Sequence, residues 1–468
     1  MRILLIKPNS SSPASFSACA PPLGLLYLVS FTRSCRKDKD QFLVLDMYVS
    51  KSTVEDIVYS FRPDLVGISC MTTEAEQMIR VSRKIKEINR SVTIVVGGPH
   101  PTGYLNETLD EESIDFVIPY EGEESFLELV ESVDSGSIGK IEGVAYRKNG
   151  SVFFIPRKPI EDLDSIPPPA YDMVDLDVYT KYRSQLPFRV PEPYVLLFTS
   201  RGCPYKCIYC STPFGKRYRE HSPQRVYNEI CFLYNKFNVR NFLIADDIFN
   251  LNEDRVNKIL QLIISGGLKL RLFFTGGLRL DIIKNEETLY KLKKAGTVYV
   301  SFGFETSSPR LQKLIKRNLN IQRVQKNLHI LNKLGIYTLS TFMLGLPGDT
   351  ERETKETIKW ALSSPVTNAM FFIANPLGGT ELAEIAKSKI KYKSFDDFGH
   401  FISKLSVGDI PHWKLSLFQI SAYFLFYFSL KRILRILRLY PFRKTYLIFD
   451  FISFIRFLLR LILNKLSR

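Results

Sequence analysis

Cysteine is scarce in this chain and odd in number, seven in 468 residues, which argues against a disulfide scaffold. The opening apolar run, Met1-Arg-Ile-Leu-Leu-Ile-Lys-Pro8, is too short for a signal peptide and reads as a first β-strand. No charge stands between Leu415 and Leu430, yet those sixteen residues fall short of the ~20 needed to cross a bilayer. Acidic residues nearly vanish at the end. Residues 401–468 hold twelve Lys and Arg against Asp409 and Asp450, so +10 of the net +16 lies there. A basic patch of that kind ordinarily raises nucleic acid as a partner. Here the cations alternate with Leu, Ile and Phe, which favours a membrane surface and not nucleic acid. Hydrophobic content of 45% with 24% charge excludes a disordered chain. The length exceeds one core and predicts two or three domains.

What is present is an α/β pattern, in which short apolar runs alternate with helical periodicity. Residues 1–145 predict a doubly wound, Rossmann-like domain with strands at Ile3–Ile6, Phe42–Leu45, Leu65–Ser69, Thr93–Val96 and Phe116–Ile118. Small residues follow the strand ends at Ser69-Cys-Met-Thr72, Gly97-Gly98 and Glu121-Gly122-Glu123, where ligands of open α/β sheets bind. Residues 146–190 read as a hairpin turning at Asn149-Gly150, followed by a linker through Pro167-Pro-Pro169 that favours extended chain. Residues 191–395 contain six βα units with strands at Val195–Thr199, Asn241–Ala245, Leu270–Phe274, Val298–Phe304, Tyr337–Leu344 and Ala369–Ala374. Six are too few for the ordinary eightfold barrel, so a partial barrel is expected. Residues 396–468 form a basic, apolar helical tail. Lys431-Arg-Ile-Leu-Arg-Ile-Leu-Arg438 and Phe451–Leu466 predict helices with one cationic stripe and one apolar face. Such helices lie in a headgroup layer, or alternatively pack on the open side of the barrel with their cations reaching past the apolar contacts.

The loop after the first barrel strand carries Cys203, Cys207 and Cys210 in Ser200-Arg-Gly-Cys-Pro-Tyr-Lys-Cys-Ile-Tyr-Cys210. Thiolates at this spacing suit zinc or an iron–sulfur cluster. A closed zinc site wants a fourth ligand, for which His221 is the nearest candidate. Three thiolates instead hold three irons of a 4Fe–4S cubane and leave the fourth open.

That string resembles the signature of the radical S-adenosylmethionine (SAM) superfamily. The resemblance implies a six-unit TIM-type barrel, SAM chelated on the open iron, and cleavage of SAM to a 5′-deoxyadenosyl radical. It makes Cys203, Cys207 and Cys210 the cluster ligands and the catalytic centre, with Tyr209 leaning on the adenine. Asp246 and Asp247 stand where the family contacts the SAM amine, and Glu305 where it contacts the ribose or carboxylate. Gly345, in Gly345-Leu-Pro-Gly348, and the Asn375–Thr380 loop match loops that face adenine or substrate. The oxygen-sensitive cluster implies the cytoplasm, with a flavodoxin or ferredoxin as electron donor.

Pro21-Pro-Leu-Gly-Leu-Leu-Tyr27, Pro63-Asp-Leu-Val-Gly-Ile-Ser69, Val95-Val-Gly-Gly-Pro-His100 and Tyr120-Glu-Gly-Glu-Glu124 resemble the hallmarks of a narrower group, the radical SAM enzymes with an N-terminal cobalamin-binding domain. The resemblance covers roughly residues 1–390. The Asp-x-His-x-x-Gly motif that supplies a histidine to cobalt is absent; the first loop reads Asn9-Ser-Ser-Ser-Pro-Ala-Ser15. Cobalamin is therefore expected without a histidine ligand, with Ser69, Thr72, Gly97, Gly98 and Gly122 beside it. His100 has two readings, a cofactor contact and a helix cap, and is left unassigned.

The activity implied is methylation of an unactivated carbon, of class B type, on an apolar small molecule such as a lipid, isoprenoid or tetrapyrrole intermediate. Cyclisation or rearrangement uses the same parts. A tRNA methylthiotransferase shares the cysteine style but needs a second cysteine trio. A non-catalytic cobalamin or metabolite sensor would carry a degenerate cluster site.

Overall fold

A computed structural model describes residues 1–10, 19–37, 39–137, 139–388, 390, 395 and 405–466. Its first sheet is built from β1 (Arg2–Lys7), β2 (Gln41–Asp46), β3 (Leu65–Ser69), β4 (Thr93–Gly97) and β5 (Phe116–Ile118). These are short runs of buried Ile, Leu and Val, the composition of parallel strands covered on both faces. They run parallel in the order β2-β1-β3-β4-β5. The hairpin follows as β6 (Ala145–Lys148) and β7 (Ser151–Phe154), with Asn149 and Gly150 both at positive φ (50° and 76°). It continues the same sheet antiparallel to β5. The hairpin that the sequence groups with the linker thus belongs to the N-terminal sheet.

The proline segment is not a loose spacer. Leu163 and Ile166 are buried, and Asp164 accepts from the Ser222 amide at 3.0 Å while standing 3.0 Å from His221 Nδ1. Tyr171 is buried and donates to the Leu196 carbonyl at 3.3 Å. The chain between the two sheets is therefore pinned along the second.

The second sheet comprises β8 (Tyr194–Leu197), then, after a two-residue pairing of β9 (Ser200–Arg201) with β10 (Arg219–Glu220), the strands β11 (Asn241–Ile244), β12 (Arg271–Phe274), β13 (Thr297–Glu305), β14 (Tyr337–Leu344) and β15 (Asn368–Ile373). All six long strands are parallel, in the order β15-β14-β13-β12-β11-β8. β8 and β15 are free edges, so the barrel is open. Helices return between strands with side-chain caps from Ser222, Asn252, Asn285, Ser308, Asn320 and Thr350.

An open edge strand needs partners for its backbone. The first tail helix, His412–Tyr427, supplies them from residues four apart on one face. Gln419 donates to the Phe371 carbonyl at 2.7 Å, the Phe371 amide donates to Tyr423 Oη at 3.1 Å, and the Ala369 amide donates to Tyr427 Oη at 3.1 Å. Each such bond contributes about 1 kcal/mol, and stranding one of these groups would cost more. The second and third tail helices, Leu430–Leu439 and Tyr446–Leu466, follow. Among the described residues no helix is long and apolar enough to cross a membrane.

The second tail helix reverses the expected polarity. Arg432 is 5% exposed and donates to the carbonyls of Ala361, Leu362 and Ser364, while Arg435 donates to those of Ser364 and Val366. These carbonyls end the barrel helix Glu351–Ser363 and open the turn beyond it. A helix C-terminus carries partial negative charge, so arginines are favoured there. Leu430, Leu434 and Leu437 of the same helix point outward, while Leu439 at its end is buried.

His221 is 1% exposed, and burial pushes its imidazole down to about 4 from the usual 6.5, the nearby Arg225 adding to the effect. It is neutral in the fold. As pH falls from 6.5 towards 4 the unfolded chain takes a proton that the folded chain refuses, so stability is present above pH 6.5 and is lost on acidification. Urea unfolding of wild type should lose about 2–3 kcal/mol across this window beyond the loss seen in His221→Asn. Parallel pH profiles for the two proteins would exclude this role.

Candidate active site

The cluster loop, residues 202–218, leaves from β9 and returns through β10. Gly202 has a φ of +80°, and a Cβ there would lie 2.1 Å from the Arg217 carbonyl oxygen, so only glycine lets the stem close. Inside the loop Cys203 donates its amide to Gly215 at 3.2 Å. The second half of the loop is stitched to the barrel. Ile208 donates to the Ile315 carbonyl at 3.2 Å and accepts from the Leu382 amide at 2.8 Å, and its side chain packs with Leu346, Ala374 and Leu382.

The three sulfurs share one electrostatic environment. Burial raises the Cys203 thiol, and Asp247 and Cys207 add to it. Cys210 is solvent-accessible yet walled by protein, and its thiol is pushed up to about 12 by desolvation together with Cys207 and Asp247. Two thiols raised beside a carboxylate, with Cys207 between them, suit a cationic metal centre, which deprotonates coordinating thiols outright. Among the described residues no three His, Cys, Asp or Glu side chains converge on a point for a single ion. A cubane needs no such point, because each sulfur binds a different iron. His221 is held by Asp164 under Arg225 and is committed to the linker. These residues fit a 4Fe–4S cluster better than zinc.

The two aspartates divide. Asp246 is buried and heavily used: it accepts from the Thr199 amide and hydroxyl, both at 2.6 Å, and from the Ser200 hydroxyl at 2.7 Å. It latches the chain entering the cluster loop, a structural role that the sequence did not announce. Asp247 accepts only one bond, from the Gly202 amide at 3.2 Å, and feels Asp246 beside it; burial raises its carboxyl to about 6. Gly277 makes room for this pair, since a Cβ there would lie 2.1 Å from the Asp246 carbonyl.

Glu305 ends β13 at a φ of +67°, a strained position for a residue with a side chain. It is buried, accepts from Thr341 Oγ1 at 3.2 Å, and lies beside Tyr209 and Arg317; burial raises its carboxyl. Arg317 donates to the Gly303 carbonyl at 2.7 Å, neighbours Cys207, and keeps a buried Nε without a protein partner. Sequence reasoning missed Arg317. It also missed Arg279, which pairs with Asp281 at 3.0 and 2.7 Å and covers the Tyr205 ring of the cluster loop at 3.9 Å. For Arg279 the available signal was its place just after Gly276-Gly277 at the end of β12; Arg317, beyond the helix Pro309–Leu314, carried none.

Gly345, expected to face adenine, has a φ of +73°, and a Cβ there would lie 2.4 Å from Leu415 of the tail. Its missing side chain admits the tail helix. Gly378, in the loop after β15, meets the N-terminal domain instead: a Cβ there would lie 2.6 Å from the Gly103 carbonyl, and its amide donates to Tyr104 Oη at 2.8 Å. This contact brings the barrel against the loop following β4.

Ser69, Gly97 and Gly98 gather at the carboxyl edge of β3 and β4, and Thr72 opens the turn after β3. Gly98 has a φ of +100°, and a Cβ there would lie 3.0 Å from both Cys70 backbone N and O. The result is a floor poor in side chains, in which the Cys70 backbone fills the place that a Gly98 side chain would take. Gly122 stands at the same edge after β5, facing Leu28. His100 is 1% exposed, stacks on Tyr104 with ring centroids 5.0 Å apart, and lies inside the short helix Pro99–Gly103, whose N-cap is Gly98. Residues 11–15 of the first loop lie outside the described residues.

The glutamates flanking Gly122 turn away from that floor and grip the cluster loop. Glu121 receives Arg201 at 3.1 Å and Arg219 at 3.0 Å, while Glu123 receives Arg201 at 2.6 Å. Arg201 is only 2% exposed and also stacks near Tyr27 and Phe214. Both stems of the loop are thus tied to the N-terminal domain.

With this geometry in view, two family models match, the radical SAM superfamily over residues 197–361 and the B12 binding domain over residues 14–130. The chain belongs to the radical SAM enzymes that carry a B12-binding domain. It is 34% identical over 396 residues to an uncharacterized methyltransferase of Pyrococcus horikoshii, covering 82% of this chain and 83% of that one. It is 26% identical to the anaerobic magnesium-protoporphyrin IX monomethyl ester cyclase of Rubrivivax gelatinosus, over 87% and 74% of the two chains. Its fold is similar to that of the radical SAM methyltransferase TsrM from Kitasatospora setae, solved with cobalamin and a 4Fe–4S cluster, with a TM-score of 0.66, 19% identity, and coverage of 83% and 75%. The cofactors of this radical SAM enzyme are a 4Fe–4S cluster, SAM and cobalamin.

If Asp247 accepts from the SAM amine and Asp246 only latches the loop, their variants separate. Asp247→Asn should weaken SAM binding to the reconstituted radical SAM enzyme about tenfold, measured by calorimetry, with little change in melting temperature. Asp246→Asn should instead cost about 2–3 kcal/mol of stability through a poorly satisfied buried site. Identical behaviour of the two variants would refute the division.

Proposed function

We propose that this enzyme methylates an unactivated carbon of an apolar small molecule, and that Cys203, Cys207 and Cys210 hold the cluster. One observation carries the reading: the thiol trio, Asp247, Glu305 and Arg317 share the barrel end that Glu121 and Glu123 tie to the Gly97-Gly98 floor. When bound, the cofactors supply radical hydrogen abstraction and a transferable methyl group. The chain's own residues orient and insulate. Asp247 accepts from the amine of SAM, Glu305 from its ribose, and Tyr209 lies along the adenine. Arg317 offers its free Nε to the SAM carboxylate, a charge-assisted contact that Lys would not reproduce. Ser69, Thr72, Gly97, Gly98 and Gly122 line the cobalamin cleft.

A tetrapyrrole or another polycyclic or isoprenoid intermediate is the substrate class favoured, in keeping with the name of the Rubrivivax relative. The same parts serve cyclisation, which that name also describes. A small flavodoxin- or ferredoxin-like protein supplies electrons, and the basic tail contacts a membrane surface. Anaerobic reconstitution tests the core of the reading. Wild type should contain about four irons and one corrinoid and release 5′-deoxyadenosine and methylated product on reduction with SAM. Cys203→Ala, Cys207→Ala and Cys210→Ala should each abolish release, measured by liquid chromatography. Full cluster loading without SAM cleavage in wild type would favour a sensor.

A further inference from the structure

The second tail helix is inside out, and that inversion defines a docking face. Arg432 and Arg435 are spent on backbone carbonyls of the barrel. Leu430, Ile433, Leu434 and Leu437, spaced one helical turn apart, are 71%, 41%, 57% and 39% exposed. The stripe continues onto the neighbouring helices. Phe424, Leu425 and Phe428 precede it, and Ile448, Phe449, Phe451 and Ile452 follow, all exposed. Among the described residues 24 large hydrophobic side chains are exposed and 14 of them lie between Trp413 and Leu459, so this is a concentration and not ordinary scatter. Packing does not require it, because the inner faces of these helices are already satisfied by β15 and by the Glu351–Ser363 helix.

The charge around the stripe selects the occupant. Lys431, Arg438, Arg443, Lys444 and Arg456 are exposed beside it. The single acid between Trp413 and Leu459 is Asp450, half-buried and accepting from the Arg189 amide and the Tyr440 hydroxyl. A second copy on a twofold axis would set these cations against their own kind with no carboxylate to meet them. The partner must be apolar within and anionic at its rim. No helix among the described residues is long and apolar enough to cross a bilayer, so the face lies along one.

Resting on the reading of a membrane contact above, we infer that the outward face of Leu430–Leu439, with its flanking aromatics and cations, docks this enzyme on an anionic bilayer. The helix lies against the carbonyls of residues 361–366, at the end of the barrel where β15 begins, so docking anchors the enzyme by the end opposite the cluster loop.

The full chain, reconstituted with its cofactors, is sedimented with vesicles of phosphatidylcholine alone and of equal phosphatidylcholine and phosphatidylglycerol. Wild type should partition to the anionic vesicles at least tenfold more strongly, and 0.5 M salt should weaken the binding. Leu430→Gln/Leu434→Gln/Leu437→Gln should lower partitioning at least tenfold, and each of Lys431→Gln and Arg438→Gln about fivefold. Their melting temperature and SAM cleavage with a soluble reductant should stay as in wild type. Should the triple variant misfold, the single charge variants still decide, because they alter only exposed ends. Wild type remaining in the supernatant, or binding both vesicles equally, overturns the inference. So does a wild-type dimer that the leucine variants dissociate, since the face then meets a second copy. Vesicle binding without SAM cleavage would leave the docking face standing and sink the proposed function instead.

Discussion

Two carboxylates of one domain hold both ends of the other domain's reactive loop, and most of the architecture follows from that. Glu121 and Glu123 extend from the end of β5, while Arg201 and Arg219 stand opposite each other in the β9–β10 pair that closes the cluster loop. All four side chains are at most 8% exposed. Burying such a group is costly, so removing one partner would strand the rest at a penalty of about 3–5 kcal/mol. The charge on Arg201 overcomes the burial of Glu123 and keeps its carboxyl below the usual range. The clamp sets the distance and angle between the thiol trio and the glycine floor in a way that neither domain could set alone.

The clamp also explains why the tail is needed. A six-stranded barrel carries an open edge at β15, next to the loop that meets Gly103. Unless that edge is sealed, water enters and the loop after β15 loses its support. The helix His412–Tyr427 seals it with a column of one Gln and two Tyr, and Leu415 fills the space left by Gly345. Having spent its polar groups inward, the tail presents its hydrocarbon outward. Closing the barrel and exposing an apolar face are two consequences of one helix arrangement.

Much of the site was legible because its chemistry is written contiguously. The thiol trio falls within eight residues, and the strand ends at Ser69, Gly97-Gly98 and Glu305 coincide with breaks in apolar periodicity. The distinction between Asp246 and Asp247 was not legible. Both lie in the turn beyond β11, and which of them meets Thr199 and Ser200 depends on how the pairing of β8 with β11 sets the two loops side by side. Nor was the packing role of Gly345 legible, since the residue filling its vacant side-chain position comes from 70 places further along the chain.

By itself the sequence determined the α/β order, the six barrel strands and the family, because local periodicity and short spacing encode them. Only the tertiary structure decided which acids remain free, that Glu121 and Glu123 reach Arg201 and Arg219 across 78 to 98 residues, and that the tail's arginines face inward. The reason is physical. A helix with apolar and cationic stripes can bury either one, and the choice depends on what waits beneath it. Here it was a row of backbone carbonyls, which bind guanidinium and have no use for leucine.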